Sequence, residues 1–368
     1  MTYNDGFASQ GVILGFLTAL LAGCATAPEQ SSEKVSAADP HAHHAMHDKG
    51  KDELGRQLYD MKHDMSPEAI QEMRDRGIFP PAVTDQQVNG MMRSMGPNYV
   101  WYVSGGEVTG KRGVLILAHG FGTNGDMAMR RRMDEVGQVQ PAAMAMGMSM
   151  GMSNHIQLAL DDLTAAGAKE IAVIPVVSSR YSTLMRQWEY IFKLRDEPAY
   201  ATVPRVSTRA RLYFSPPMES HPFVVDILSD YAQEISKDKS KEEIIIVAHG
   251  PIDAADNQRQ LDMLAGIGAK LKAEGYAAVH PVTLQDDAPK EVRQANVERM
   301  RQLVTDIEAR GNTPLVITNL IGTRLVQKSI RRDLNGLGYR YNFRGLVLHE
   351  KFIDWVQVAS DEAFGDKT

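Results

Sequence analysis

Two runs of uninterrupted apolar residues dominate the hydrophobic pattern, because each enters the same turn. Residues 114–120 read Val-Leu-Ile-Leu-Ala-His-Gly and residues 244–250 read Ile-Ile-Ile-Val-Ala-His-Gly. Aliphatic runs without polar alternation predict central parallel strands covered on both faces. Ligands in such sheets bind beyond the carboxyl ends of the strands. His119 and His249 fall there, 130 positions apart.

The pattern after each turn follows one order of parts. In the first frame a helix-compatible run reaches about residue 139, then come a strand over 142–150, a helix over 156–166 and strands over 168–177 and 211–216. Ser220-His221-Pro222 opens a helix running to about residue 235, and the charged stretch 237–243 reads as a hinge. The second frame gives a strand over 244–248, a helix over 258–274, a strand over 277–284, a helix over 289–310, strands over 314–321 and 345–349, and a closing element over 352–358. Alternating strands and helices imply parallel sheets joined by right-handed crossovers. The expected fold is therefore α/β: two tandem three-layer α/β/α halves, 111–236 and 244–358, whose parallel four-stranded sheets face a central cleft, with a tail over 359–368.

Upstream, residues 52–110 read as a helical extension. Leu54, Leu58, Met61 and Met65 share one helical face, Ser66-Pro67 supplies an N-cap and first-turn proline, and Thr84 with Gln87 forms a capping box ahead of Val88, Met91, Met92 and Met95. Residues 105–111 spell G-x-x-x-x-G-K, yet Arg112 stands where a magnesium-binding hydroxyl belongs, and the stretch precedes a strand instead of following one. No nucleotide is expected.

Residues 11–23 are apolar or small, too short to span a bilayer and suited to the core of a signal peptide. Leu21-Ala22-Gly23-Cys24 resembles the lipobox of bacterial lipoproteins, which implies that 1–24 is removed up to a lipidated Cys24. Ala25 then implies the periplasmic face of the outer membrane in a Gram-negative host. The segment before Gly11 departs from that pattern, with Asp5 and no Lys or Arg. Residues 25–51 lack apolar periodicity and read as a disordered tether. Its His41, His43, His44 and His47 form either an auxiliary site collecting Ni, Co, Cu or Zn ions or a plain solvated linker.

Composition narrows the class. A length of 368 residues exceeds a usual single core. A net charge of −6 gives no electrostatic footprint for nucleic acid. Cys24 is the one cysteine, so neither an intramolecular disulfide nor a cysteine-rich zinc site is available.

The motifs Leu-Ala-His-Gly at 117–120, Ala-Gly-Ala-Lys-Glu-Ile-Ala-Val-Ile-Pro at 166–175, Ser220-His221-Pro222, and Val-Ala-His-Gly at 247–250 together resemble the CbiX-type sirohydrochlorin cobaltochelatase family, within the ATP-independent tetrapyrrole chelatases. The resemblance covers roughly residues 112–357. It implies insertion of Co²⁺, Ni²⁺ or Fe²⁺ as substrate into a tetrapyrrole bound between the halves, with His119 and His249 as catalytic and metal-ligating residues. A neutral imidazole serves either as base for a pyrrole N–H or as ligand. The family's second histidine is missing: the matching places read Ser178-Ser179-Arg180-Tyr181 and Gly322-Thr323-Arg324. Arg180 and Arg324 offer bidentate grips for a macrocycle carboxylate, and His221 and His349 are further candidate ligands. Alternatively, His119 and His249 only cap strand ends, or the chain is a non-catalytic extracytoplasmic binder of metal or tetrapyrrole.

Two further readings stay open. Gly147 to Gly151 spells G-x-S-x-G around Ser149, as in α/β serine hydrolases, although the 30 positions back to His119 are cramped for that fold. Met144, Met146, Met148, Met150 and Met152 alternate strictly, which would set five thioethers on one face of an extended segment for Cu(I), or simply make the apolar face of a strand.

Overall fold

The computed structural model describes residues 46–366 except 62, 63, 95, 323 and 324. Cys24, His41, His43, His44 and Arg324 lie outside the described residues, and His47 is described for its backbone alone. The elements are β1 (Met46–Lys51), β2 (Gln57–Met61), α1 (Pro67–Asp75), α2 (Asp85–Ser94), β3 (Asn98–Tyr102), β4 (Arg112–Ala118), α3 (Thr123–Val139), β5 (Ala142–Met146), α4 (Asn154–Ala165), β6 (Glu170–Pro175), α5 (Thr183–Ile191), β7 (Arg211–Phe214), α6 (Pro222–Ile235), β8 (Glu242–Ala248), α7 (Ala254–Lys272), β9 (Ala278–Thr283), α8 (Lys290–Ala309), β10 (Thr313–Thr318), α9 (Leu325–Asp333), β11 (Arg340–Tyr341) and α10 (Lys351–Phe364).

One sheet has the order β1-β2-β3-β5-β4-β6-β7 and the other β11-β10-β8-β9. The four strands β5-β4-β6-β7 are mutually parallel, as are β9-β8-β10-β11, and each set places its His-bearing strand second in the same order. Alternate residues of these central strands serve different layers. Val114, Ile116, Ala118, Ile244, Ile246 and Ala248 join one shared core, while Leu115 and Leu117 face a second cluster and Ile245 and Val247 a third.

The upstream region differs from the expected helical extension. Residues 46–61 form a β-hairpin, because Asp52 turns the chain: its Oδ1 accepts from the Leu54 and Arg56 amides at 3.0 and 2.9 Å, and Gly55 takes φ +78°. Such side-chain-to-backbone bonds compete directly with a helical continuation. The tether therefore ends at β1, not at residue 51. Ser66 does cap α1, accepting from Ala69 N at 3.1 Å, and Thr84 and Gln87 exchange the expected capping-box bonds before α2. Strand β3, aromatic-rich and antiparallel to β5, was not legible as part of the main sheet.

Three smaller corrections follow from local geometry. Strand β5 stops at Met146 because Gly147 takes φ +146°, with Asn98 Oδ1 occupying the place a β-carbon would need. Met144 and Met146 thus sit in the shared core and Met150 in the second cluster, so the five methionines do not line one face. The last strand of the second sheet is Arg340–Tyr341, while residues 346–348 make a 3₁₀ turn.

The terminal helices exchange partners. Helix α6 follows the first sheet yet packs on β10, and α10 follows the second sheet yet packs on β6, β7 and α3. Tyr231 Oη donates to Gly345 O at 2.9 Å, Asn342 Nδ2 donates to Tyr231 O at 3.1 Å, and Phe364 meets Tyr213 edge-on at 5.3 Å. Each sheet is therefore completed by a helix from the other side of the chain. Phe352, fully buried on α10, tests this: Phe352→Ala should cost about 3–5 kcal/mol and lower the urea midpoint of one cooperative transition. Two separated transitions, with only residues 244–366 destabilised, would contradict the interlock.

Candidate functional site

Both Ala-His-Gly turns are built alike. Gly120 takes φ +90° and Gly250 φ +83°, a left-handed region that glycine enters without penalty. At Gly250 a β-carbon would also stand 2.7 Å from Thr283 Cβ. The turns carry the chain from β4 and β8 through His119 and His249 to helices α3 and α7, which begin four and five residues later. Phe121 packs edge-on against the His119 ring at 4.7 Å, and its own amide donates to the buried Asp126 at 2.6 Å. Across the gap, Gly322 follows β10, and a β-carbon there would stand 2.6 Å from Phe121 Cδ1. The two sheet ends meet at this contact.

The loop after β9 completes the site. Gln285, at φ +50°, donates its amide to His249 O at 2.6 Å and its Nε2 to Pro251 O at 2.8 Å, tying this loop to the histidine turn. Asp287, half-exposed, places Oδ2 3.5 Å from His249 Nε2. The buried Asp286 pairs with Arg293 at 2.8 Å and has its Oδ2 unpartnered. These residues were missed in the sequence. The available signal was the polar Gln-Asp-Asp run at the carboxyl end of the strand beside β8.

The environments drive the two imidazoles apart. Desolvation lowers the His119 pKa, with the charge of His249 adding to it against the pull of the Gly120 backbone, Asp126 and Asp287. Its ring reaches solvent at the cleft mouth, so this is the desolvation of a recessed group, not of a core residue. At His249 desolvation acts in the same direction, but the Asp287 and Asp286 carboxylates outweigh it and the pKa is raised. His249 Nδ1 lies 3.1 Å from Gly250 O, which leaves Nε2 toward Asp287 and the cleft. His119 is thus suited to act neutral, as ligand or base, and His249 to carry a proton.

The other expected residues serve the frame. His221 is the N-cap of α6, accepting from Phe223 N at 3.4 Å and stacking on that ring at 5.5 Å. His349 accepts from Lys351 N at 3.2 Å and sets Nε2 3.2 Å from Asp230, holding the start of α10 to α6. Neither is among the groups acting on His119 or His249. Arg180 is engaged in a bidentate pair with Glu219, at 2.7 and 2.5 Å. Among the described residues no group of three or more His, Cys, Asp or Glu side chains could hold a metal ion. A depression of about 730 Å³ lies on α1 and α2, lined by Glu72, Arg74, Arg76 and Asp85, and includes none of the histidines.

Ser149 has two marks of a nucleophile elbow: φ +52° and a 3.3 Å contact to His155 Nε2. Both are fully buried, Trp188 Nε1 donates to the same hydroxyl at 3.3 Å, and His155 Nδ1 has no carboxylate or other partner. Burial depresses His155 to about 3. A hydrolase needs the hydroxyl exposed and the imidazole oriented by a third group. Neither condition is met.

No family model matches the sequence, and no curated protein matches it. Among solved structures, SirB from Bacillus subtilis with Fe³⁺ is similar at a TM-score of 0.51 and 16% identity, over 70% of this chain and 98% of SirB. The chain shares the fold of SirB. DR2241 from Deinococcus radiodurans, described as a multi-domain protein with structural similarity to chelatases, matches at 0.45 and 14% identity, over 69% of this chain and 56% of its own.

The imidazole pair gives a titration test. In histidine NMR spectra, His119 should titrate below 6.5 and His249 above it, and Asp287→Asn should bring the His249 midpoint down. Because the folded pKa of His249 is raised, its stabilisation is present below the unfolded value of 6.5 and lost as pH rises through the folded value. Asp287→Asn should therefore destabilise more at pH 5.5 than at pH 8.5. Equal losses at both pH values would refute the pairing.

Proposed function

We propose that this chain is an ATP-independent tetrapyrrole metal chelatase of CbiX type, built as two tandem chelatase-like halves and anchored to a bacterial membrane through a lipidated Cys24. The observation that carries the reading is the meeting of two Ala-His-Gly turns at one cleft, with a neutral-leaning His119 beside an Asp287-paired His249. The shared fold with SirB, whose structure holds Fe³⁺, supports it.

The reaction takes a divalent ion, Co²⁺, Ni²⁺ or Fe²⁺, and a free-base tetrapyrrole. It forms metal–nitrogen bonds, breaks two pyrrole N–H bonds and releases two protons. His119 Nε2 or Nδ1, largely unprotonated at neutral pH, supplies a lone pair for the ion or for the first N–H proton. The His249–Asp287 pair at 3.5 Å supplies the route by which protons leave the cleft. Once His249 has passed its proton on, two imidazoles with no third ligand among the described residues hold an ion loosely, which is what a hand-over to ring nitrogens requires. Arg180 and Arg324 meet macrocycle carboxylates in this reading, with Arg180 exchanging its present partner Glu219 for the substrate. Export by the lipobox puts the work outside the cytoplasmic membrane.

Incubation with sirohydrochlorin and Co²⁺ or Ni²⁺ should give the metallated spectrum without nucleotide. His119→Ala should reduce the rate by about 10²–10⁴-fold, the range for loss of a proton-transferring side chain. Spectral binding of the macrocycle with no metallation by the unaltered chain would replace the enzyme by a carrier. Fluorophosphonate labelling should leave Ser149 unmodified.

A further inference from the structure

Charge is unevenly placed on this chain. It carries −6 overall, yet residues 328–344 hold Lys328, Arg331, Arg332, Arg340 and Arg344 against the one carboxylate of Asp333. Arg340 is neutralised by Glu242 at 2.5 Å and Arg344 by Glu234 at 2.5 Å, while Asp333 is taken by the buried Arg293 at 2.6 Å. Arg332 keeps only a 3.7 Å contact to that carboxylate, and no carboxylate among the described residues pairs with Lys328 or Arg331. Lys328, Arg331 and Arg332 stand at i, i+3 and i+4 of α9 and are all exposed, whereas Gln327, Ser329 and Ile330 are buried. That spacing puts the three cations on one outward stripe.

An aromatic row lies beside the stripe. Tyr339, Tyr341 and Phe343 alternate through β11, the edge strand of the second sheet, with successive ring centroids 6.2 and 6.5 Å apart. Tyr341 Oη donates to Gln327 O at 3.3 Å, which fixes the row to the helix, and the Arg331 guanidinium sits 5.5 Å over the Phe343 ring. Both tyrosines are half-buried, but Phe343 is 51% exposed. Cations around a protruding aromatic ring suit a bilayer interface with anionic headgroups, where the charges meet phosphate and the ring enters the boundary beneath. Nucleic acid fits less well, because Arg331 already covers a face of Phe343 on which a base would stack. Among the described residues no helix is long and apolar enough to cross a membrane, so the contact is one of surface docking.

We infer that the α9–β11 face docks on an anionic lipid surface through Lys328, Arg331, Arg332 and Phe343. The biological setting rests on the membrane-anchored reading proposed above, to which this adds the side of the molecule that meets lipid. Asn342 N donates to Val316 O and Leu346 N to Leu320 O, so Phe343 lies toward the carboxyl end of β10, the sheet end that carries His249. Docking therefore holds the second-sheet flank of the cleft close to the headgroups.

Full-length chain with Cys24→Ser, which cannot be lipidated, is mixed at low salt with vesicles of phosphatidylglycerol and phosphatidylcholine and, separately, of phosphatidylcholine alone. The ratio of the two partition coefficients is the readout, because the apolar stretch 11–23 contributes to both. The unaltered chain should favour the anionic vesicles. At about five-fold per cation near an anionic surface, replacing Lys328, Arg331 and Arg332 by Gln should lower the ratio about 100-fold. Gln at the exposed Lys270, Lys272 and Lys290 should leave it unchanged. Phe343→Trp should add an emission that brominated phosphatidylglycerol quenches, since Trp101, Trp188 and Trp355 are buried. A ratio near one for the unaltered chain, equal losses in the two triple variants, or an unquenched Phe343→Trp would each overturn the inference. Capture of single-stranded DNA through the same three cations, without vesicle binding, would overturn it in favour of nucleic acid. No metal, macrocycle or acyl chain enters the measurement, so a failed metallation or lipidation assay leaves its result standing, and the converse holds too.

Discussion

The exchange of α6 and α10 between the two sheets is the constraint on which the site depends. A histidine at the end of one strand has no fixed relation to a histidine 130 residues away unless the sheets are locked together. Here each sheet would expose an apolar face without the other's helix, so the two sheets cannot part without uncovering Phe352, Trp355, Tyr231 and Leu228. The burial of four such side chains outweighs any single polar contact at the cleft. The His349–Asp230–Lys351 cluster then secures the crossing at the start of α10. His349 thus helps to hold the frame that brings His119 and His249 together.

Within that frame the division of labour between His119 and His249 is electrostatic. The two side chains come from equivalent turns and differ mainly in their carboxylates. The loop after β9 brings Asp286 and Asp287 to His249, whereas the corresponding place after β5, by strand register, is Ser149-Met150, which carries no charge. The asymmetry thus comes from loops, not from the strands that define the fold. It is what allows one imidazole to stay neutral while its neighbour holds a proton, since two protonated rings side by side would repel.

How much of this the sequence disclosed follows the range of the interactions involved. The His-bearing strands and their glycines were legible because an unbroken aliphatic run and a left-handed turn are local properties. The capping box at Thr84 was legible for the same reason. The hairpin at residues 46–61 was not, because Leu54, Leu58 and Met61 also fit a helical spacing and only the Asp52 side chain decides between them. Strand β3 and the helix exchange are long-range pairings with no local signature. Asp287 was hidden for a third reason: a carboxylate in a polar loop has many solvated counterparts, and only the contact to His249 distinguishes it.

The second histidine that the CbiX-type resemblance implies would meet a steric obstacle here. At the end of β10 the place is taken by Gly322, whose Cα hydrogen faces the Phe121 ring so closely that a β-carbon would stand 2.6 Å from it. An imidazole there would have to displace Phe121, which in turn supports the His119 ring at 4.7 Å. At the end of β6 the place is taken by Arg180, already committed to Glu219. Tight closure between the sheets therefore leaves no room for an imidazole at Gly322. In the proposed chelatase reading, a site closed in this way would hold an ion through few groups, which favours its hand-over.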